Sequence, residues 1–387
     1  MLTAERNDLL TRIGPGTPAG DLLRRFWQPI CAEAELTTNV TRKRVRILGE
    51  DLVAYRDKSG TYGLIEEHCA HRGASLFYGF LEDDGIRCPY HGVKYGHQGE
   101  CLEIPFEPKD SPTKSELRMR SYPMEALGGL LFAYMGPDPA PLLPRWDILV
   151  REDGSKKVSV LPIVECNWLQ IMENSADTAH TFYLHAHMMA EHGKPEQGAY
   201  YYRPIEKMDF ELINEKNWAG LRKARTYGGD NPEKESGHPI LFPNALLSPE
   251  RNRLCLHYRV PVDDTHTRIF RYEFRKGDGR SVSPVPVEYV PPFKTPEGDY
   301  ILDVNFAGQD AMAYESQGLI ADRTREHLLT ADRGVALFRK MLLEQIQAVQ
   351  NGKDPIGLVR DPKLNERIDI DVSSGQERLA KETGVVY

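Results

Sequence analysis

Long apolar runs are missing from this 387-residue chain. No stretch reaches the roughly 18 residues that a bilayer-spanning helix needs, so no membrane span is expected. A surplus of positive charge is missing too. Lys and Arg number 49 against 57 Asp and Glu, and the net charge of -8 offers no field for nucleic acid or an anionic membrane. Cysteine is sparse, six in all. Four of them, Cys31, Cys101, Cys166 and Cys255, are scattered without a disulfide-like pattern. The first residues lack a basic start followed by an apolar run, so no secretory signal is expected and the cytoplasm is the expected compartment. There is no internal repeat. What is left is the composition of an ordinary globular protein, 40% hydrophobic and 27% charged, in a length suited to two domains.

The other two cysteines are placed differently. Cys69-Ala-His71 is followed, after 16 residues, by Cys88-Pro-Tyr-His91. Two thiolates and two imidazoles in two short clusters make a metal site, and two metals compete for it. Zinc would take all four in one tetrahedron. A two-iron, two-sulfide cluster of the Rieske kind would take both Cys on one iron and both His on the other. Each half here supplies one Cys and one His, whereas a zinc finger usually groups like with like. The flanking Arg72-Gly73-Ala74, Pro89-Tyr90 and Gly92 resemble the Rieske motif, with one departure at Val93, where that motif usually carries Trp.

Around these ligands, from about residue 40 to 135, short period-two runs such as Val45/Ile47, Val53/Tyr55 and Leu130/Phe132/Tyr134 suggest a small antiparallel β-domain. Before it, helical patterns near Leu9-Leu10 and Leu22-Leu23 are split by Gly14-Pro15-Gly16. The proline-rich Gly136–Pro144 is a stiff connection and the expected boundary. Beyond it, alternation in Leu254–Val260 and Phe270–Phe274 around an Asp263-Asp264 turn predicts a long hairpin. Val335, Phe338, Leu342, Ile346 and Val349 mark an amphipathic helix, stopped at Gly352 and Pro355. The expected class is α+β. Its parts are an arm over 1–39 packed on the catalytic domain, a β-domain over 40–140 and a larger domain over 141–387.

A second metal site is written in Asn174-Ser-Ala-Asp177-Thr-Ala-His180-Thr-Phe-Tyr-Leu-His185. Two His and a carboxylate are the facial set that binds Fe(II) and leaves positions open for oxygen. Asp177 and His180, three apart, would share a helix face. His180 and His185, five apart, diverge by roughly 140° on an α-helix, so the helix must end or bulge between them. His187 competes with His185 on spacing alone. Asp310, Asp322 and Asp332 are all open as the third ligand, and Ala-Asp-Arg occurs twice, at 321–323 and 331–333.

With both motifs, Gly14-Pro-Gly-Thr-Pro and Arg24-Arg-Phe-Trp-Gln-Pro29, the chain resembles the oxygenase component of Rieske non-haem iron aromatic-ring oxygenases. Within these it is nearest the phthalate-oxygenase and aromatic O-demethylase branch, from Gly14 to Pro355. The resemblance implies a [2Fe–2S] domain and a helix-grip-like catalytic domain with a curved antiparallel sheet. It puts mononuclear iron on His180, His185 and Asp332, and makes Asp177 a bridge to His91 of a neighbouring subunit in a trimer. It implies hydroxylation, cis-dihydroxylation or O-demethylation of an aromatic acid with O2. With no Gly-x-Gly-x-x-Gly fingerprint present, NADH electrons would arrive through a separate reductase or ferredoxin. Arg222, Arg225 and Asn174 are candidate substrate contacts. Gly228–Pro239 is a candidate flap or a plain surface loop. A bare Rieske electron carrier and a zinc-stabilised binding protein are the alternative classes.

Overall fold

The structure is a computed structural model, and it describes residues 1–37, 39–108, 111–192, 204–228, 233–250, 253–277, 282–302, 306–370 and 372. Among these, the first third of the chain forms three small antiparallel sheets. One is Arg42–Ile47, Glu50–Arg56, Tyr62–Glu66 and Ser121–Tyr122, in that order. The next joins four two- or three-residue strands, Phe80–Glu82, Gly85–Arg87, Lys94–Tyr95 and Cys101–Glu103. In the last, Leu130–Ala133 lies between Gln28–Ala32 and Met124–Leu127. Val53, Tyr55, Ile65, Leu76, Ile86 and Tyr95 close a core of their own under the first two sheets.

The remainder is built on one eight-stranded sheet. Its order is Ile205–Asn214, Ala219–Tyr227, Glu233–Leu241, Ala245–Glu250, Arg253–Asp263, His266–Lys276, Gly154–Val160 and Val287–Tyr289, and only the last pair is parallel. The predicted hairpin is its centre. Leu254 faces Phe274, Leu256 faces Tyr272 and Tyr258 faces Phe270, all buried in the main core. Burying each such side chain stabilises by about 1.5–3 kcal/mol. The other face of the same two strands is polar: Cys255 lies opposite Glu273 and His257 opposite Arg271, with Arg259 opposite Ile269. The breaker-rich stretch expected as a loop is in part a strand, Glu233–Leu241, which pairs on both sides. Hydrogen bonds to both neighbouring strands override its poor local propensity. Residues 229–232 of that stretch lie outside the described residues.

Helices cover the sheet and carry the chemistry. The Arg333–Gln350 helix buries Val335, Phe338, Met341, Leu342, Ile346 and Val349 at three- and four-residue spacing, as its sequence predicts. It packs on the Trp168–Ala176 helix, which is pinned from below by a buried charge cluster. Glu173 accepts from Arg323 (2.8 and 2.7 Å) and Arg339 (2.6 Å), and Arg339 also bonds Glu326. The N-terminal helices Ala4–Thr11 and Pro18–Arg24 touch both halves of the molecule. The Ile13 N–H donates to Asp264 of the hairpin turn, while Arg24 bonds Glu50 (2.9 Å) in the first sheet.

Candidate metal centres

Both cysteine loops fold in the same way. The Cys69 N–H donates to the Ala74 carbonyl (3.0 Å) and the Gly73 N–H to the Cys69 carbonyl (2.8 Å). In the second loop Cys88 donates to Val93 (2.8 Å) and Gly92 to Cys88 (3.1 Å). Each turn closes through a glycine at φ +74°, a conformation that a β-carbon penalises. The cysteines are 3% and 2% exposed, whereas His71 is exposed and His91 half-buried. The two imidazole rings stand 4.7 Å apart. Burial raises the Cys88 thiol above its usual range; the Tyr90 N–H opposes this and the adjoining Cys69 sulfur adds to it. The Tyr95 hydroxyl lies 3.2 Å from the Cys69 sulfur. Sulfur inside and imidazole outside is the donor arrangement of a cluster with one thiolate-held and one histidine-held iron. Val93 fills its place in the core beneath, 1% exposed.

The second centre begins where the Trp168–Ala176 helix stops. Asn167 starts that helix by accepting from the Leu169 N–H, and Asp177 ends it by turning extended (φ -83°, ψ 141°). Asp177 and His180 therefore do not share a helix face, contrary to expectation. They meet in a tight turn, in which the Asp177 carboxylate accepts from the N–H groups of Ala179 (2.7 Å) and His180 (3.0 Å) and from the His180 Nδ1 (2.9 Å). Burial would raise the Asp177 pKa, but the His180 ring and these N–H groups outweigh it and hold it at about 2. The chain then winds as a π-helix, Thr181–His187, with His180 at its start. Bonding from i to i+5 widens the turn, which brings residues five apart to one side. This is the bulge that the spacing demanded, and the His180 and His185 rings lie 5.3 Å apart at 77°. His187 stacks on Tyr183 instead.

The acid that joins them is Asp310, in the Phe306–Glu315 helix. Its Oδ1 is 3.5 Å from the His185 Nε2, and one donor atom each from His180, His185 and Asp310 falls within a 4.8 Å group. Asp332 does not take this place. Its carboxylate accepts from the Leu329 N–H (2.6 Å) at the entry to the Arg333–Gln350 helix, where free amides favour an acid. Asp322 is likewise occupied by Thr324. Burial lowers the His185 pKa, against the pull of Asp310, which leaves the ring neutral and able to ligate.

The three expected substrate contacts have other work. Arg222 reaches Glu211 (3.2 Å). Arg225 is buried between Glu235 (2.8 Å) and the Thr181 hydroxyl (2.8 Å), so it braces the π-helix. Asn174 donates to Asp310 Oδ1 (3.3 Å) and accepts from Tyr314 (3.4 Å), which steadies that carboxylate. A further group, Glu250, Cys255 and His257, also clusters within 4.8 Å. Arg253 on Glu250 (2.9 Å) already supplies its positive charge, so a cation there would be opposed.

Residues 26–123 match the family model for the Rieske [2Fe–2S] domain, and residues 295–382 match the one described as LigXa C-terminal domain like. Over 377 residues, 96% of this chain and 86% of the other, the sequence is 40% identical to the 5,5'-dehydrodivanillate O-demethylase oxygenase subunit of Sphingobium sp. (strain NBRC 103272 / SYK-6). The chain belongs to the Rieske oxygenase family. It is also 35% identical to the phenoxybenzoate dioxygenase subunit alpha of Ectopseudomonas oleovorans, over 90% of this chain and 87% of that one. In fold it resembles the terminal oxygenase of carbazole 1,9a-dioxygenase from Nocardioides aromaticivorans IC177, with a TM-score of 0.62 at 19% identity over 86% and 99% of the two chains. As a Rieske oxygenase it is an oxidoreductase that uses a [2Fe–2S] cluster and Fe(II). A zinc-stabilised binding protein and a bare electron carrier are thereby set aside. No helix among the described residues is long and apolar enough to cross a membrane.

Proposed function

We propose that this chain is the terminal oxygenase of a multicomponent system that hydroxylates, cis-dihydroxylates or O-demethylates an aromatic acid. Cys69, His71, Cys88 and His91 would hold the cluster, and His180, His185 and Asp310 the iron. The observation that carries this is the convergence of those last three donor atoms beside a carboxylate, Asp177, that grips the outer nitrogen of His180. When bound, the cluster supplies single electrons and Fe(II) keeps positions open for oxygen.

The residues of the chain divide the remaining work. Asp177 fixes the His180 tautomer and raises its basicity. At 19% side-chain exposure, Asp177 also keeps an edge toward solvent, where His91 of a neighbouring subunit would meet it in a ring-like trimer. NADH electrons would reach the cluster from a separate reductase or ferredoxin. We take the chain to divide near Gly136–Pro144, with the cluster before it and the iron after it.

An aromatic acid is favoured by Arg259. This guanidinium is 6% exposed, and its one hydrogen bond among the described residues runs from Nη1 to the His257 carbonyl (3.0 Å). Among the described residues its Nε has no partner and no carboxylate lies within ion-pair distance. Burial lowers its pKa to about 10, and Tyr314 and Asp310 are the first groups to oppose that. Ile269, opposite Arg259, shares a core with Tyr314 and Ala311, so this sheet face looks at the helix that carries Asp310. A buried charge without a counter-ion is costly, and a substrate carboxylate would supply one. Both named relatives act on aromatic carboxylates.

The test is oxygen uptake and product analysis with a surrogate reductase, across aromatic acids, methoxy-aromatic acids and their methyl esters. Iron in excess of the two in the cluster, with turnover of acids over esters, is expected. Iron confined to the cluster, or no oxygen uptake with any aromatic compound, would sink the proposal.

A further inference from the structure

The two imidazoles of the iron site are held by different chemistry. The His180 Nδ1 faces the Asp177 carboxylate at 2.9 Å, whereas the His185 Nδ1 faces the Gln309 side-chain oxygen at 2.8 Å. Gln309 is fully buried, and its amide cannot turn over. Its Nε2 donates to the Leu302 carbonyl (2.7 Å), so a flipped amide would set two oxygens against each other. Oxygen therefore faces the ring, the His185 Nδ1 carries the proton, and the Nε2 lone pair is left on the side of Asp310. Gln309 and Asp310 are consecutive, so one turn of the Phe306–Glu315 helix supplies both the brace and the acid.

We propose that Gln309 is a positioning residue that sets both the strength and the potential of the iron site, by giving His185 a neutral partner where His180 has an anionic one. This rests on the reading of His180, His185 and Asp310 as the ligands. Asp177 and Asp310 already bring two negative charges to the site, with Lys223 and Arg259 facing them, and Gln309 adds none. A carboxylate at 309 would bring a third negative charge into a buried site, make His185 a stronger donor and favour the ferric state. The site would then accept electrons from the cluster less readily. An apolar residue at 309 would free the ring to change tautomer and tilt.

The experiment uses the full chain carrying its cluster, with the mononuclear iron removed and titrated back. Gln309→Leu should weaken ferrous binding about 10–100-fold while the visible spectrum of the cluster is unchanged. Gln309→Glu, nearly the same shape, sets one carboxylate oxygen against the Leu302 carbonyl, so a thermal melt checks its fold before ferrous iron is titrated in. This variant should lower the ferric/ferrous midpoint potential and slow single-turnover reoxidation of the reduced cluster at least about tenfold. Parent-like affinity in Gln309→Leu, or a parent-like potential in Gln309→Glu, overturns the proposal. His185→Ala serves as the control: if it also keeps parent affinity, the ligand assignment has failed, and not the role of Gln309. Should Gln309→Leu not fold, the isosteric Gln309→Glu decides alone.

Discussion

Gly334 has no room for a side chain, because a β-carbon there would stand 2.3 Å from the Ala176 carbonyl oxygen. Phe210 closes the same space at 2.5 Å. The long Arg333–Gln350 helix thus presses directly on the last turn of the helix that leads into Asp177. Gly334→Ala must displace backbone, and overpacking of this kind costs about 1–3 kcal/mol. A thermal melt should show the loss, and iron content should fall while the cluster absorbance holds. An unchanged melt and full iron would mean the contact is slack.

Asp177→Asn tests the electron route. The amide oxygen can still accept from the Ala179 or His180 N–H, so the turn should survive and both metals should load. The negative charge on the His180 ring is lost, and so is the acceptor that the proposed trimer would offer to a neighbouring subunit. Coupled turnover should drop by at least about tenfold, in the range seen when partners of a metal-bound histidine are removed. Normal turnover with both metals present would exclude Asp177 as the bridge.

Arg259→Gln tests the acid. Losing a charged hydrogen bond costs about 1.5–3 kcal/mol, so KM for an aromatic carboxylate should rise roughly 10–100-fold. KM for the corresponding methyl ester should hardly move. Equal effects on acid and ester would assign Arg259 to structure rather than recognition.

Glu50 gives the fold an acid-sensitive joint. It is 6% exposed and accepts from Arg24 (2.9 Å), Arg120 (2.6 Å) and Tyr122 (2.7 Å), tying the N-terminal helices to the first sheet. Burial would raise its pKa, but Arg120, Tyr122 and Arg24 outweigh burial and lower it. The group therefore stabilises fully above the unfolded glutamate value of about 4.3, and the contribution is lost as pH falls through the lower folded value. Glu50→Gln takes the carboxylate from Arg24, 8% exposed at its side chain, which keeps the Ile13 and Leu48 carbonyls, and should cost about 1–3 kcal/mol at neutral pH. Urea midpoints of parent and variant should begin to converge as pH falls below about 4.3. Parallel pH profiles would refute the assignment.

How much of this was legible in the sequence depends on distance along the chain. The cluster loops are local, and Cys-x-His with Cys-x-x-His points to the Rieske domain that residues 26–123 match. The His180–His185 interval showed that an α-helix could not serve, but no residue pattern announces the π-helix that replaces it. The carboxylate that joins His180 and His185 is a long-range matter. Asp332 carries the marks of an acid at a helix start, and that is the role it has. Asp310 could have been noticed from its own helix, where Gln309 and Tyr314 are polar residues on a buried face. Arg222 and Arg225 drew attention as arginines near the iron sheet, yet pairing by Glu211 and Glu235 is a property of neighbouring strands. Arg259 stands out only once its strand partners are known.

The two matched turns around Cys69 and Cys88 are closed by main-chain bonds and a left-handed glycine, and none of those bonds uses a ligand atom. Frame and cargo are therefore separable. His71 or His91 could be replaced by cysteine without rebuilding either turn. The substitution would move the redox potential of the centre, since potential follows ligand type, while leaving both turns in place.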